Sequence, residues 1–279
     1  MGEASMRVPA ALRTLKVLQT LGKASSPMTA QAIATRLEIP RSSVYQLLEV
    51  LEQQGFVVHF PEEKRWSLGV SAFELGSAYL RHDPLERFAQ PLLARLLNQV
   101  GSLGGGFAAV AQLGILQGAE LLYLLKGSTL ANTQASLGSG TDVAVITDVG
   151  VRLPAHLTAS GRSMLTLLPK VQFRAIYPGG PDTPLVTRTE RGPKVYRDLE
   201  KTLKTDREKG FSLEESEVSD GYGSLAAAAT NHLELPVAAF AVTFRTDRLA
   251  ANDLAEIESN IAGFVKAAAA DLSKRLGAR

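Results

Sequence analysis

The sequence predicts a multidomain protein with an N-terminal all-α winged helix-turn-helix, a linker helix and a C-terminal α+β domain. The chain of 279 residues is longer than the roughly 100–200 residues of a typical domain. Within Pro27–Leu68, two short amphipathic helices and two alternating runs around a charged turn are typical of a winged DNA reader. From Phe107 onward, short β-type runs separated by Gly- and Ser-rich loops indicate a mostly antiparallel sheet framed by helices.

The N-terminal domain is expected over residues 8–69, where helical spacing of apolar residues gives way to alternation. Helices are predicted over residues 10–22, 29–37 and 41–54, and the strands of the hairpin wing over residues 56–60 and 65–68. Thr29 suits the N-cap of the second helix, Pro40 marks the start of the third, and Gly55 ends it.

A linker helix is predicted over residues 71–82, within a linker at 70–83 that precedes a C-terminal domain at 84–279. Its apolar residues lie on more than one side, which suits a helix that also packs against a second subunit. Further helices are predicted over residues 85–100, 159–168, 194–209 and 253–272, the last capped by Asp253. Strands are predicted over residues 107–113, 120–125, 142–149, 211–217, 225–231 and 237–244, and residues 153–158 are expected to be extended.

Composition excludes several kinds of site. The chain has no cysteine, so disulfides and thiolate metal sites are excluded, and its four histidines form no i, i+4 pair. No apolar run approaches the roughly 20 residues of a membrane span, and the first residues lack the features of a secretory signal. We therefore expect a cytoplasmic protein without membrane, metal or cofactor. The net charge of +2 is too small to indicate nucleic-acid binding by itself.

The exposed face of the third helix is a candidate DNA-reading surface. Opposite its leucines it carries short polar side chains and one cation, and the wing adds a second cation; the candidates are Arg41, Ser42, Ser43, Tyr45, Gln46 and Arg65. Arginine can reach a phosphate or a guanine edge, serine allows close approach, and glutamine can contact adenine in a bidentate way. The alternative is that these are solvated positions of an amphipathic helix, with a serine acting as its cap.

Two other classes of function remain open on the residues alone. Gly104–Ala109 and Gly221–Ala226 match a degenerate dinucleotide pattern, but neither follows a buried parallel strand nor opens an uninterrupted helix. Ser160 and His156 could indicate nucleophilic catalysis, yet their extended spacing gives no reason for them to meet, and no nucleophile elbow is present. A winged module used only for protein contacts is the third class, which no residue favours.

Six segments together resemble the IclR family of transcriptional regulators, from about Ala10 to Gly277. They are Leu12–Leu18, Leu37–Leu48, Gly55–Val57, Gly150–Ser163, Glu208–Phe211 and Asp220–Ala226. A winged helix alone is common, whereas its combination with the run LPAHLTASGR at this distance is specific. The chain departs from the family at Gln46, where an arginine is frequent, and at Ser224, where a cysteine is frequent.

The resemblance implies a dimer or tetramer that binds a pseudo-palindromic operator in double-stranded DNA, and it favours a repressor. It also implies a GAF-like C-terminal domain that binds a small effector, often a carboxylic acid or an aromatic compound. Backbone or side-chain contacts to this effector are implied at Ala159, Ser160, Glu214, Ser224 and Thr243. The resemblance also implies a further pocket position at Ala241, which can carry a hydroxyl in relatives. The alternative is that residues 159–161 only cap a helix and Ser224 fills a turn. An ionised Glu214 would disfavour a bare carboxylate.

Overall fold

The computed structural model describes residues 8–24, 26–82, 84–103, 107–129, 147–247 and 251–278. Its contacts divide the chain into two compact units, Met1–Asp83 and Pro84–Arg279. The first contains a helix-turn-helix with a small sheet, and the second is an α+β domain, so both predicted fold classes are confirmed. Among the described residues, no helix is long and apolar enough to cross a membrane.

The described residues of the first unit form four helices and a three-stranded antiparallel sheet. The helices are α1 Pro9–Gly22, α2 Ala30–Leu37, α3 Arg41–Gln53 and α4 Val70–His82. The strands are β1 Met28–Thr29, β2 Val57–Phe60 and β3 Arg65–Leu68, in the order β1-β3-β2. The two-residue strand β1 was not predicted, because it is too short to show an alternating pattern and exists only through its pairing with β3.

Local signals in the sequence explain the bend between α2 and α3. The Thr29 hydroxyl accepts a hydrogen bond from the amide of Ala32 at 3.2 Å, which caps α2. Glu38 then adopts a left-handed conformation with φ of 55° and ends this helix. On α3, the buried residues recur at spacings of four and three, and they pack against α1 and the sheet: Val44, Leu48 and Leu51. One face of α3 is therefore buried in the core, and the opposite face is left at the surface.

The second unit is built on a six-stranded antiparallel sheet in the order β6-β5-β4-β9-β8-β7. The strands are β4 Ala109–Gln117, β5 Glu120–Ser128, β6 Arg152–Pro154, β7 Ser212–Glu215, β8 Tyr222–Thr230 and β9 Pro236–Arg245. The helices are α5 Pro84–Gly101, α6 Ala159–Leu165, α7 Lys170–Ile176, α8 Tyr196–Lys209 and α9 Ala251–Arg275.

The two faces of this sheet have different coverings. Helices α5 and α9 pack on one face over a large apolar core that includes Leu113, Leu225, Phe240, Val242 and Phe244. The intervening residues of β8 and β9 point to the opposite face, which is covered by α6. Small side chains line the contact between α6 and this face of the sheet, since Ala159 of α6 packs on Ala226 and Ala241. The helix therefore approaches the sheet closely.

Several local predictions for this unit were wrong. Of the segment 153–158, only Leu153 and Pro154 are in a strand, and Ala155–Leu157 form a turn of 3-10 helix that starts after Pro154. Helix α6 ends at Leu165 instead of continuing to residue 168, and α7, which begins after Pro169, was missed. Asp253 lies inside α9 and not at its cap, because the helix already includes Ala251. Most of the predicted strand 142–149 lies outside the described residues, and residues 147–149 are not in a strand.

Candidate functional site

Five of the six predicted DNA-reading residues lie in the first two turns of α3. Arg41, Ser42, Tyr45 and Gln46 are exposed, and Ser43 is half-buried. Arg41 Nη2 donates to the Tyr45 hydroxyl at 3.1 Å, and its guanidinium lies 5.4 Å from the centre of that ring. The cation is therefore placed on the open side of the helix with donor groups remaining for a further acceptor.

Arg65 lies apart from this set, on strand β3. Its Nη1 donates to the Pro27 carbonyl oxygen at 3.0 Å, and its Nε lies 3.9 Å from a carboxylate oxygen of Glu63. The side chain is 44% exposed. One of its donor groups thus connects the wing to the residue before β1, which is a structural use that the sequence did not indicate.

The five residues implied for effector binding line a single pocket between α6 and the sheet. The pocket contains about 440 Å³ of space, part of it open to solvent. Its wall is formed by Tyr123, Thr147, Thr158, Ala159, Ser160, Glu214, Val218, Ser219, Tyr222, Ser224, Ala241 and Thr243.

Strand register and helix capping create this pocket. Glu214 on β7 faces Ser224 on β8, which in turn faces Thr243 on β9, so the three side chains form a row across the sheet. The Thr158 hydroxyl accepts a hydrogen bond from the Gly161 amide at 3.0 Å and caps α6. Gly161 is required for this packing, since a Cβ there would overlap the Ala155 carbonyl oxygen. The start of α6 is therefore fixed above the polar row.

One polar group of the pocket has no partner. The Ser160 side chain is buried, and its hydroxyl oxygen makes no hydrogen bond among the described residues. By contrast, the Ser224 and Thr243 hydroxyls lie 2.9 Å apart, and Glu214 Oε1 accepts from the amides of Glu217 at 2.7 Å and Val218 at 3.1 Å. Because a buried hydroxyl without a partner costs about 1–3 kcal/mol, Ser160 is a position where a bound ligand would supply the missing bond.

A buried charge cluster lies beside the pocket. The fully buried Arg162 pairs with Asp206 at 3.1 Å and with Glu217, and it also donates to the Leu213 carbonyl oxygen. Burial raises the pKa of Asp206, with Arg162 opposing this, and burial likewise raises the pKa of Glu217 to about 7. Burial also raises the pKa of Glu214, the cluster's member in the pocket wall. A single guanidinium thus faces three carboxyl groups that resist ionisation.

The arrangement expected of a catalytic serine is not formed by Ser160 and His156. His156 Nε2 lies 2.7 Å from the Val186 carbonyl oxygen, and its ring meets Tyr177 edge to face at 6.0 Å. Burial lowers the pKa of His156. His156 Nε2 is thus occupied by Val186, and among the described residues neither His156 Nδ1 nor the Ser160 hydroxyl has a hydrogen-bond partner, so the two side chains do not bond to each other.

The candidate dinucleotide pattern at residues 221–226 does not have the strand-turn-helix context that such a pattern requires. Residues 221–226 enter the antiparallel strand β8 instead of a helix. Residues 104–106, which begin the other, lie outside the described residues. Among the residues that are described, no group of three acidic or histidine side chains could hold a metal ion.

Sequence reasoning missed several residues of the pocket and its support. Tyr123, Thr147 and Tyr222 belong to the wall, and Gln112 lies directly behind it. Gln112 did give a signal, because it is a polar side chain within the apolar run AVAQLGIL of β4. Such a residue in a buried strand requires a hydrogen-bonding partner and could have been selected as a candidate on that ground.

The comparisons with known proteins agree with this architecture. A family model described as "IclR helix-turn-helix domain" matches residues 10–60, and one described as "Bacterial transcriptional regulator IclR C-terminal" matches residues 77–274. The chain is 28% identical to the Pca regulon regulatory protein of Pseudomonas putida, over 95% of this chain and 82% of that protein. It is 24% identical to the HTH-type transcriptional repressor AllR of Escherichia coli, over 85% of this chain and 80% of that protein.

A solved structure shares the fold along nearly the whole chain. It is an IclR homologue from Microbacterium hydrocarbonoxydans, complexed with 4-hydroxybenzoate. The TM-score is 0.73 at 19% sequence identity, over 96% of this chain and 98% of that chain. At this identity the likeness extends to the fold alone.

Proposed function

Since this chain belongs to the IclR family of bacterial transcriptional regulators, we propose that it binds a pseudo-palindromic operator as an oligomer under control of a small effector. The first unit reads the DNA, and the second binds the effector. The effector is a small organic acid or an aromatic compound, and the regulator acts as a repressor. The similarity to the repressor AllR and to a homologue complexed with 4-hydroxybenzoate supports this proposal.

The observation that carries the proposal of effector binding is the buried Ser160 hydroxyl in the pocket wall, which has no hydrogen-bond partner among the described residues. The pocket wall combines this hydroxyl with the side chains of Glu214, Ser224 and Thr243 and with apolar surface from Val218 and Ala241. Small-molecule sites have this composition, with a few converging polar groups in a largely apolar wall.

The proposal that the first unit reads DNA rests on the exposed face of α3. Ser42 and Ser43 allow the helix to approach the DNA closely, Arg41 supplies a positive charge, and Gln46 can contact adenine. Two copies of α3 would enter successive major grooves about 34 Å apart if the chain dimerises.

Helix α4 is the proposed dimerisation element. Its side chains Val70, Phe73 and Leu75 are each more than 60% exposed. Apolar residues with this degree of exposure are typical of surfaces that become buried against another subunit. If the dimer has two arrangements that differ in the distance between its two α3 helices, an effector that binds one of them more tightly would shift the population of the DNA-competent arrangement.

Selection of duplexes from a random-sequence pool by the full-length chain tests the DNA half. We expect enrichment of an inverted repeat whose half-sites lie about one helical turn apart, or a multiple of it. Affinity for the enriched duplex should fall steeply with salt, since phosphate contacts release counterions. A chain that enriches no sequence and binds DNA without salt dependence would instead act through protein contacts.

Titration of the full-length chain with 4-hydroxybenzoate by calorimetry tests the effector half. The matched variant is Ser224→Leu, which places a larger apolar side chain in the pocket wall. Binding to the unaltered chain, lost in the variant while thermal unfolding remains cooperative, supports the pocket. Undiminished binding to Ser224→Leu would exclude it.

A further inference from the structure

A second cleft lies in the α+β domain, apart from the pocket that contains Ser160. It is formed by α7, α8 and the end of α6, and it contains about 630 Å³ of space, part of it open to solvent. No residue of its wall belongs to the wall of the first pocket, as far as the chain is described. Helix α6 borders both sites, with Ser160 near its start in the pocket and Leu165 at its end in the cleft. The cleft is therefore a separate site.

The floor of this cleft is apolar. Leu165, Tyr196 and Leu203 are buried in one small core, and the half-buried Phe173 packs against it. The rings of Phe173 and Tyr196 lie 5.7 Å apart between their centres. Tyr196 and Leu203 share one face of α8 because they are two helical turns apart. Such a floor accommodates the aromatic or aliphatic part of a ligand.

The rim of the cleft carries four exposed cations. Lys170 and Arg174 lie one turn apart on α7, and Lys204 and Arg207 lie one turn apart on α8, and all four line the cleft. Among the described residues of the wall, Glu200 is the only acid. Four cations and one carboxylate leave the cleft with three net positive charges.

These rim cations differ from other cations of α8 in their ion pairs. Arg197 pairs with Asp182 at 3.1 Å and Lys201 pairs with Asp198 at 3.7 Å, and neither cation lines the cleft. None of the four rim cations forms an ion pair with a described acidic side chain. Positive charges gathered in a cleft with a low-dielectric floor raise the local concentration of anions. The cleft therefore favours a ligand with more than one negative charge.

Arg207 is oriented within this rim before any ligand binds. Its Nε and Nη2 atoms donate to the Thr166 carbonyl oxygen, at 2.9 and 2.6 Å, where α6 ends. Its Nη1 atom makes no hydrogen bond to a described residue and has two N–H groups for a further acceptor. An arginine that is already ordered loses less conformational entropy on binding, and its planar donors match the oxygens of a phosphate. Arg207 is therefore suited to anchor a phosphate group.

We propose that this cleft is a second ligand site, which binds a phosphate monoester with an aromatic or short aliphatic group. The phosphate lies among the rim cations, with Arg207 donating through Nη1, and the apolar group lies on the floor beside Phe173 and Leu203. A phosphate monoester carries about 1.5–2 negative charges at neutral pH, more than a monovalent acid can supply. This site goes beyond the proposed effector pocket and does not depend on it.

Calorimetry of the full chain with three probes tests the class of ligand. Phenyl phosphate combines an aromatic ring with a dianion, inorganic phosphate lacks the ring, and benzenesulfonate keeps the ring but carries a single charge. We expect phenyl phosphate to bind more tightly than the other two, and its affinity to decrease below a pH of about 6, where the phosphate gains a proton. The proposal is overturned if phenyl phosphate does not bind, or if either of the other probes binds as tightly.

Substitutions locate the site of phenyl phosphate binding. Arg174→Gln combined with Lys204→Gln should lower the affinity by about tenfold or more, since charge-assisted hydrogen bonds are lost from two exposed positions. Lys201→Gln removes a cation from the same helix outside the cleft and should leave the affinity unchanged, as should Ser224→Leu in the first pocket. A cooperative thermal transition in each variant confirms that it folds. Full affinity in the double variant, or an equal loss in either control, would overturn the proposal.

Discussion

Arg41 and Tyr45 form a hydrogen-bonded pair one turn apart on α3, with Arg41 Nη2 donating to the tyrosine hydroxyl at 3.1 Å. The guanidinium also lies 5.4 Å from the centre of the Tyr45 ring. Both contacts restrict the arginine before DNA is bound. A long side chain that is already ordered loses less conformational entropy on binding, so this cation is well prepared for a phosphate or a guanine.

Arg41→Ala should weaken binding to the selected duplex by about 1–3 kcal/mol and lower the salt dependence by about one counterion. Tyr45→Phe, which keeps the ring and removes the hydroxyl, should cost less. Fluorescence anisotropy over a series of salt concentrations measures both variants. An unchanged affinity of Arg41→Ala throughout the series would remove Arg41 from the DNA-reading surface.

Arg65→Ala should cost less DNA affinity than Arg41→Ala, because one guanidinium nitrogen donates to the Pro27 carbonyl oxygen. Loss of that bond should lower the free energy of unfolding of the first unit by about 1 kcal/mol. The chain has one tryptophan, Trp66, which is buried in this unit and reports its unfolding in urea by fluorescence. Arg65→Lys is the control that keeps the charge. A larger loss of DNA affinity than for Arg41→Ala, with unchanged stability, would contradict this assignment.

Ala241→Ser should strengthen binding of 4-hydroxybenzoate, because it adds a hydroxyl to the pocket wall. One hydrogen bond contributes about 0.5–1.5 kcal/mol, which is roughly a twofold to tenfold gain in affinity. Ala241 is buried and packs on Ala159 and Ala226, so the added oxygen crowds this contact, and thermal unfolding without ligand should occur at a lower temperature than in the unaltered chain. Calorimetry and a thermal scan give the two values, and an equal affinity for both proteins would exclude Ala241 from ligand contact.

The stability of the second unit should decrease as the pH rises from about 4.5 to about 7. Burial raises the pKa of Glu217 from 4.5 to about 7, so the folded unit binds more protons than the unfolded one in this interval. A carboxyl group with a raised pKa contributes its stability below the unfolded value and loses it as pH passes the folded value. Asp206 and Glu214 act in the same sense, whereas His156, whose pKa is lowered by burial, acts in the opposite sense. Thermal midpoints against pH measure the slope, and the decrease should be smaller in Glu217→Gln; an equal slope in both proteins would contradict the shift.

The regular spacing of apolar residues was sufficient to predict most of the helices and strands. The helix that carries Val44, Leu48 and Leu51 and the strands β8 and β9 lie where their spacing placed them, with boundaries shifted by a few residues. Short elements were not predictable, since β1 depends on its pairing with β3 and α7 has only seven residues with none buried. The 3-10 turn at Ala155–Leu157 was missed because no spacing pattern distinguishes three residues of turn from extended chain.

The candidate pocket could likewise be predicted only in part from the sequence. The resemblance to a family brought Ala159, Ser160, Glu214, Ser224 and Thr243 together, and the structure places all five in one wall. It did not indicate Gln112, which hydrogen bonds to Thr243 across 131 positions of sequence. Nor could it indicate that Arg162 meets Asp206 and Glu217 in a fully buried site.

By itself the sequence determined the two-domain organisation, the exposed polar face of α3 and the residue types available to a pocket. These follow from local spacing, capping and composition, which act over a few residues. Only the tertiary structure decided which side chains form hydrogen bonds and ion pairs with one another. Burial raises the pKa of Glu214, and Gln112 accepts a hydrogen bond from Thr243 on another strand. Both arise from contacts between segments far apart in the chain.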